Sequence, residues 1–545
     1  MIRMPHTIKE LFYNPRSDSI YDLVRSIKKT HREILKKTEL RKVNVASKLV
    51  SDEVAIHNFS IPENSLQKRF FPSLISDLFQ GVSRWHSPRT MYNIAPPPIL
   101  PTVVTKAMTS LYNPNLALHT ASGKSLLTEQ KVIKAIAEYI GWDREKAGGI
   151  FTWGGKATTM YGIKLGLYNC SPHSATQGVK EDVIVLSTAS GHPSHISDVE
   201  WLGIGTANII RLDTDKNTRV NLKEMERVMK EAVKMGKKIA AIIISGGTTN
   251  DMVVDPIAQA VNLRDRLVQE LKLSYTPHVH VDAVVAFPWI FFKSYDFKQN
   301  ALDIDTKALE RLLKIIKNLR GLYRADSFGV DFHKMGFCPY VSSVFMVKDG
   351  KTLTNNKGDY HWPFLYSMEN SRAADGPNTA YVVLNALGVR GFQYLIGHLT
   401  EITLHLQYEL EKTQAFDLLN KTSLGTAIMF IPRLPKKITF ANPQEEITVR
   451  NLYTTTFIDK LAKLGNPYYV DKIPSYSTGS KMYPYTSLKA YMMSPYSNKK
   501  SNVEFVSFMV KLKKEIDSRF NFANNQYIPS DMESPHPLKG TNLRV

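Results

Sequence analysis

Lys334 follows His333 in the stretch Arg324-Ala-Asp-Ser-Phe-Gly-Val-Asp-Phe-His-Lys-Met-Gly-Phe337, just ahead of the apolar run Val341-Ser-Ser-Val-Phe-Met-Val347. A lysine ending a loop at a sheet edge is ordinarily a solvated charge. The same amine in a desolvated cleft has a lowered pKa and becomes a nucleophile toward a carbonyl. Four other stretches carry reactive groups. Gly149-Ile-Phe-Thr-Trp-Gly-Gly155-Lys156 leads into Met160, Ile163 and Leu167 at helical spacing, and a Gly-Gly turn that opens a helix leaves backbone N–H groups able to hold a phosphate. Ser190-Gly-His192-Pro-Ser-His195 and Gly246-Gly-Thr-Thr249-Asn-Asp251 each follow a β-branched run, and Asp282 ends the run His278-Val-His-Val. A carboxylate at the end of an apolar strand costs on the order of several kcal/mol to bury alone, so it faces solvent or a permanent cationic partner. Taken singly, each stretch has a plainer reading as a turn, a surface histidine or a solvated charge.

The elements that must position these groups alternate along the chain. Asp182–Ser187, Ile239–Ser245 and His278–Asp282 read as strands, separated by helical stretches such as Asn221–Met229 and Asp255–Arg264. That order predicts an α/β fold, a mostly parallel sheet covered on both faces, with ligands at the C-terminal ends of its strands. Three parts are expected. Residues 1–100 form a helical and extended segment ending in the Pro-rich connector Ile94–Pro101; 101–395 form the large domain; 396–545 form a smaller α+β domain with helices near 398–412 and 502–517 and an apolar run at Ala427–Ile431.

Composition narrows the classes of function. The chain has 545 residues, 43% of them hydrophobic, enough for a large core. Its two cysteines, Cys170 and Cys338, cannot build a disulfide framework or a zinc site, and the start has no secretory pattern, so a cytoplasmic protein is expected. No apolar run approaches the ~18 residues that span a bilayer. The formal charge of +20 is densest in the basic amphipathic segment at 23–42, where Leu23, Ile27, Ile34 and Leu35 make an apolar stripe. A helix packed on the body or on a second subunit is favoured there over a membrane surface. Elsewhere basic and acidic residues are interspersed with no stacking platform for bases, so nucleic acid is not an expected partner.

In their order and spacing these stretches resemble the pyridoxal-phosphate-dependent decarboxylases of the group II type, which act on glutamate, aromatic amino acids or histidine and have fold type I, that of the aspartate aminotransferase class. The resemblance covers roughly residues 85–400. It rests on the Gly-Gly turn and its helix, His192-Pro-Ser194, Gly247-Thr-Thr249 with Asp255-Pro-Ile, His280-Val-Asp-Ala283, Ala325-Asp-Ser327 leading to Asp331-Phe-His-Lys334, and Ser371-Arg372. It implies pyridoxal 5'-phosphate as cofactor, a Schiff base on Lys334, Asp282 at the pyridine nitrogen and His192 flat on the ring. Gly155, Lys156, Thr249, Ser327 and His333 would complete the cofactor contacts, and Arg372 would meet a substrate carboxylate unless it serves a structural salt bridge. It further implies an L-amino acid substrate, release of CO2 and a homodimer. This chain departs from the family pattern in having Lys156-Ala-Thr-Thr159 after the glycine turn, Met335 after His-Lys, and Val284-Val-Ala-Phe-Pro-Trp289 after the aspartate, where the bulk of Phe287 and Trp289 is expected to reshape the substrate pocket. Another pyridoxal-phosphate reaction, or a binding protein on a degenerate scaffold, stays open at this level.

Overall fold

The computed structural model describes residues 11–12, 19–36, 59–64, 66–354, 362–435, 439–465, 467–477, 484–521 and 526–527. The first helix among the described residues, α1, runs Ile20–Lys36, buries no residue and packs on the short helix Phe71–Asp77. Its expected continuation to residue 42 lies outside the described residues. A two-residue strand, β1 (Thr90–Met91), precedes the extended prolines, and Leu100–Tyr112 forms α2 with Pro101 in its first turn, where the missing N–H costs nothing. Lys124–Ile140 forms α3.

The central sheet has seven strands: β2 (Gly148–Thr152), β3 (Val183–Thr188), β4 (Ile209–Leu212), β5 (Lys238–Ser245), β6 (His278–Asp282), β7 (Ser327–Asp331) and β8 (Ser343–Val347), in the spatial order β2-β8-β7-β6-β5-β3-β4. The five from β7 to β4 are parallel, while β8 runs antiparallel to both β7 and β2. Strands buried on both faces need apolar side chains throughout, hence Ile239-Ala-Ala-Ile-Ile-Ile244 in β5, all buried. The longer helices between strands are α4 (Gly155–Cys170), α5 (Ser194–Trp201), α6 (Leu222–Lys234), α7 (Ile257–Glu270) and α8 (Thr306–Leu319). In α6 the Asn221 side chain accepts from the N–H groups of Lys223 and Glu224, and Met225, Val228, Met229 and Ala232 make the buried stripe.

α4 differs from a surface helix because most of its sides are buried. It lies so close to the sheet that a Cβ on Gly162 would come within 2.6 Å of the His280 ring. Glycine is therefore a packing requirement there. The close approach brings the N-terminus of α4 to the C-terminal ends of β6 and β7.

Asp375–Lys412 forms α9, broken at Gly388 (φ 57°), and its later half leads to a five-stranded sheet. That sheet comprises β9 (Phe416–Leu418), β10 (Ala427–Pro432), β11 (Tyr469–Tyr476), β12 (Tyr485–Tyr491) and β1, in the order β1-β11-β12-β10-β9. α10 (Pro443–Lys463) and α11 (Lys499–Asp517) pack with it around a second apolar cluster that includes Phe416, Phe430, Tyr453, Phe457 and Phe505. Residues 90–91 thus join the same sheet as residues 416–491, which nothing in their local pattern announced.

Candidate active site

Three strand ends build the site. Asp282 is the last residue of β6, Asp331 the last of β7, and Lys334 lies in the turn three residues on, its Nζ 3.0 Å from Asp331 Oδ2. His192 comes from the loop after β3, and Thr249 sits half-buried in the turn after β5. That turn folds tightly against the segment after β6: a Cβ on Gly247 (φ 127°) would meet the Ala286 side chain at 2.5 Å. Gly155 opens α4 beside Asp331, where an added Cβ would stand 2.9 Å from Oδ2 and 3.1 Å from Val284 Cγ1. A side chain there would press on both, and the free N–H groups of the first helical turn lie next to this position.

The acid at the end of β6 has a partner of its own. His195 Nε2 lies 3.2 Å from Asp282 Oδ2 and His195 Nδ1 lies 2.8 Å from Ser187 Oγ, while Arg211 Nη1 donates to that same Oγ at 2.9 Å. These contacts form one chain from Arg211 through Ser187 and His195 to Asp282. Burial pushes the Asp282 carboxyl up, but the hydrogen bond from His195 and the charges of His195, Lys334 and His192 outweigh it and hold the pKa well below the usual carboxylate range. Asp282 is thus kept as a carboxylate at the base of the cleft. Arg211 Nη2 also donates to the carbonyls of Ala189 (2.9 Å) and Gly191 (2.6 Å), which fixes the loop carrying His192. Exposed toward the cleft, His192 takes the Ser194 N–H on Nδ1 at 3.2 Å, and the surrounding protein lowers its pKa despite the nearby Asp282.

The lysine behaves otherwise than expected. Burial pulls the Lys334 pKa down, yet Asp331 and then Asp282 pull it up further, and the balance lies above the ordinary lysine value. Two carboxylates within reach outweigh desolvation. His333, buried between Asp331 and the Tyr340 ring (centroids 4.3 Å apart), has a pKa lowered by burial against the opposing pull of Asp331. Lys156 reaches away from the turn: its Nζ donates to Ser197 Oγ at 2.8 Å and lies 3.9 Å from Asp198 Oδ1. Burial pushes the Asp198 carboxyl up to about 8, with Lys156 pulling against it and Asp282 adding to it.

The structure therefore brings Lys334, Asp282, His192, His333, Gly155 and the backbone of Lys156 to one cleft, with Thr249 on the neighbouring turn. Two expected residues are elsewhere. Ser327 opens β7 at the far end from Asp331, and its hydroxyl lies between His278 Nε2 (2.7 Å) and His280 Nδ1 (2.8 Å), a bond within the core that the strand direction imposes. The Arg372 guanidinium forms a bidentate pair with Glu129 (2.7 and 3.1 Å) and donates to the carbonyls of Phe151 and Leu116. That is the structural salt bridge, and it leaves the guanidinium committed. Phe287 and Trp289 are also corrected, since both are buried to 1% exposure in the core under the sheet, and Phe287 packs on Phe328 and Phe332. Missed in the sequence were His195, Ser187, Arg211 and Asp331. The available signals were a serine interrupting an apolar strand, a second histidine one helical turn after the first, and an aspartate three residues before the lysine.

No protein-family model matches the chain. Among curated proteins it is 26% identical over 334 residues to the acidic amino acid decarboxylase GADL1 of Bos taurus, a match covering 58% of this chain and 58% of that protein. It is 23% identical over 355 residues to the L-2,4-diaminobutyrate decarboxylase of Rhizobium meliloti, covering 63% and 64%. The chain thus matches about three fifths of the length of these relatives. Among solved structures it superposes on mouse CSAD with a TM-score of 0.75 at 16% identity, covering 91% of this chain and 99% of that one. It superposes on Oryza sativa TDC, solved with PLP and tryptamine, with a TM-score of 0.74 at 15% identity, covering 92% and 99%. The chain shares its fold with these structures, and that fold is the α/β fold type I expected from the sequence.

Proposed function

We propose that this chain decarboxylates an L-amino acid to its amine and CO2 with pyridoxal 5'-phosphate attached at Lys334. The observation that carries the reading is the meeting of Lys334 with Asp282, an aspartate held ionised by His195, beside a side-chain-free helix opening at Gly155. The residues fit the cofactor: an amine for its aldehyde, a carboxylate for its ring nitrogen, and backbone N–H groups at Gly155 and Lys156, with His333 near, for its phosphate. When bound, the cofactor supplies an electron sink for the bond broken at the substrate Cα. Asp282, kept as a carboxylate, would pair with the protonated ring nitrogen. His192, Lys334 and Thr249, which line the same cleft, would hold the cofactor beside the substrate. His192 also takes on the orientation of the substrate carboxylate, the role Arg372 cannot fill from its pair with Glu129. Reaction type would follow from how the substrate carboxylate is held, since that orientation selects which bond at Cα is broken.

The names of the relatives, acidic amino acid and diaminobutyrate decarboxylases, support decarboxylation and leave the substrate side chain open. The test offers carboxyl-labelled and Cα-deuterated L-amino acids with acidic, diamino and aromatic side chains. Labelled CO2 with the deuterium kept in the amine is expected from one of them. Deuterium washout with the carboxyl label retained throughout would place the protein among transaminases or racemases.

The same reading includes a homodimer and a cytoplasmic location, with the chain divided at about residues 100 and 395. Support for the dimer is an apolar surface in the N-terminal part: Ile27 of α1, Leu74 and Leu78, and Leu100, Val104 and Tyr112 of α2 are all exposed. Both cysteines are free and buried, as suits a reducing compartment.

A further inference from the structure

Asp331 has no part in the chemistry described above, yet it is 1% exposed and stands at the meeting point of the lysine and the helix opening. Its Oδ1 accepts from Ser343 Oγ at 2.5 Å, across the antiparallel pair in which Asp331 and Ser343 face each other. That bond fixes the carboxylate. Oδ2 then points at Lys334 Nζ (3.0 Å) and His333 Nε2 (3.6 Å), and it lies against Gly155, the first residue of α4. A helix N-terminus attracts anions, so Asp331 occupies the neighbourhood that a phosphate would seek. The other titratable groups facing Lys334 are Asp282 from β6, His192 from the loop after β3, and Tyr340, whose carbonyl accepts from Lys106 Nζ of α2.

We propose that Asp331 gates cofactor attachment: its carboxylate holds Lys334 as an ammonium and crowds the phosphate seat at Gly155, so the cofactor-free protein loads only as Lys334 gives up its proton. The inference rests on the reading that Lys334 is the attachment point. In the step itself, the ammonium loses a proton to solvent and the free amine adds to the aldehyde carbon. A C=N bond replaces C=O, and the oxygen leaves as water. Neither oxidant nor reductant is needed. The pull of Asp331 on the ammonium, which with Asp282 raises the Lys334 pKa against burial, acts directly on the first of these events.

The test compares the parent with Asp331→Asn, whose amide oxygen still accepts from Ser343. Attachment of pyridoxal phosphate, and of pyridoxal without the phosphate, is followed by absorbance at about pH 8, then fixed with borohydride and located by peptide mass. Each unit of lysine pKa removed gives about tenfold more free amine. Attachment to Lys334 in the variant is expected to be at least about tenfold faster with both aldehydes, with the larger gain in affinity for the phosphorylated one. Equal or slower attachment in a folded variant would overturn the gate, and a gain confined to pyridoxal phosphate would overturn the hold on the ammonium. If the variant does not fold, the pH profile of Lys334 acylation in the cofactor-free parent decides. A midpoint above that of an ordinary lysine, about 10.4, is expected, and one at or below it refutes the gate. A parent that never attaches either aldehyde at Lys334 would refute the cofactor reading instead, while the acylation profile would still report on Asp331.

Discussion

Asp282 and His195 show how one hydrogen bond sets the chemistry available at the end of a strand. Asp282→Ala is expected to keep weakened cofactor binding, since the seat at α4 is untouched, and to lose about 10³-fold or more in kcat, read from steady-state kinetics. Activity within a few-fold of the parent would make the aspartate structural. His195 acts through Asp282 and is a positioning residue. With His195→Phe the donor disappears and burial is left to raise the Asp282 pKa, so the acid limb of kcat should move toward neutral pH, while His195→Gln, which still donates, should keep more of the parent profile. A drop in kcat at all pH values with the limb unmoved would assign His195 to packing alone. The sign for stability agrees. A depressed carboxyl pKa stabilises the fold above the unfolded value of about 3.9, and that contribution is lost as pH falls through the folded value. Lys334, Asp282 and His192 could be read in the sequence because their types and order are distinctive. His195 could not be chosen over His192, because which of two histidines three residues apart faces inward depends on how α5 packs on β3.

Strands and helices were legible wherever burial is uniform or periodic. The β-branched runs at β3, β5 and β6 lie within one residue of their expected bounds, and α6 and α7 start within two residues of theirs but run five and six residues further, because parallel strands and amphipathic helices each write a clear pattern whose helical end is the weakest part. Direction along a strand is harder to read. Ser327 sits in the quoted motif, yet three residues of extended chain separate it from Asp331, and only the C-terminal end of β7 meets the cleft. Phe287 and Trp289 follow Asp282 closely, yet the short 3-10 helix Phe287–Ser294 turns them into the core. Arg372 ties α3, β2 and the chain ahead of α9 through Glu129, which also accepts from the Phe151 N–H. Arg372→Met should therefore cost about 3–5 kcal/mol of stability in denaturant unfolding, the penalty for an uncompensated buried charge, with little change in KM of the surviving folded enzyme. A large rise in KM at unchanged stability would return Arg372 to the substrate. Gly162→Ala should destabilise by at least about 1–3 kcal/mol through the clash with His280, read in the same way.

Across the whole molecule, the apolar N-terminal surface is the feature that one chain leaves unexplained. α1 presents a basic face and exposed Ile27, and Leu74, Leu78 and residues of α2 are exposed as well, apolar side chains of the kind that a second copy covers. Among the described residues no helix is long and apolar enough to cross a membrane. Sedimentation should give twice the mass of the 61.7 kDa chain, and a fully active monomer would contradict the dimer. The seven-stranded sheet brings its reactive groups together from residues 155 to 334, and the account stands on one of them being the point of covalent attachment. The most direct measurement is borohydride reduction of the protein after incubation with pyridoxal phosphate, followed by peptide mass analysis. The account predicts a yellow protein and a single reduced conjugate on the peptide carrying Lys334; a colourless protein, or a conjugate on another lysine, would contradict it.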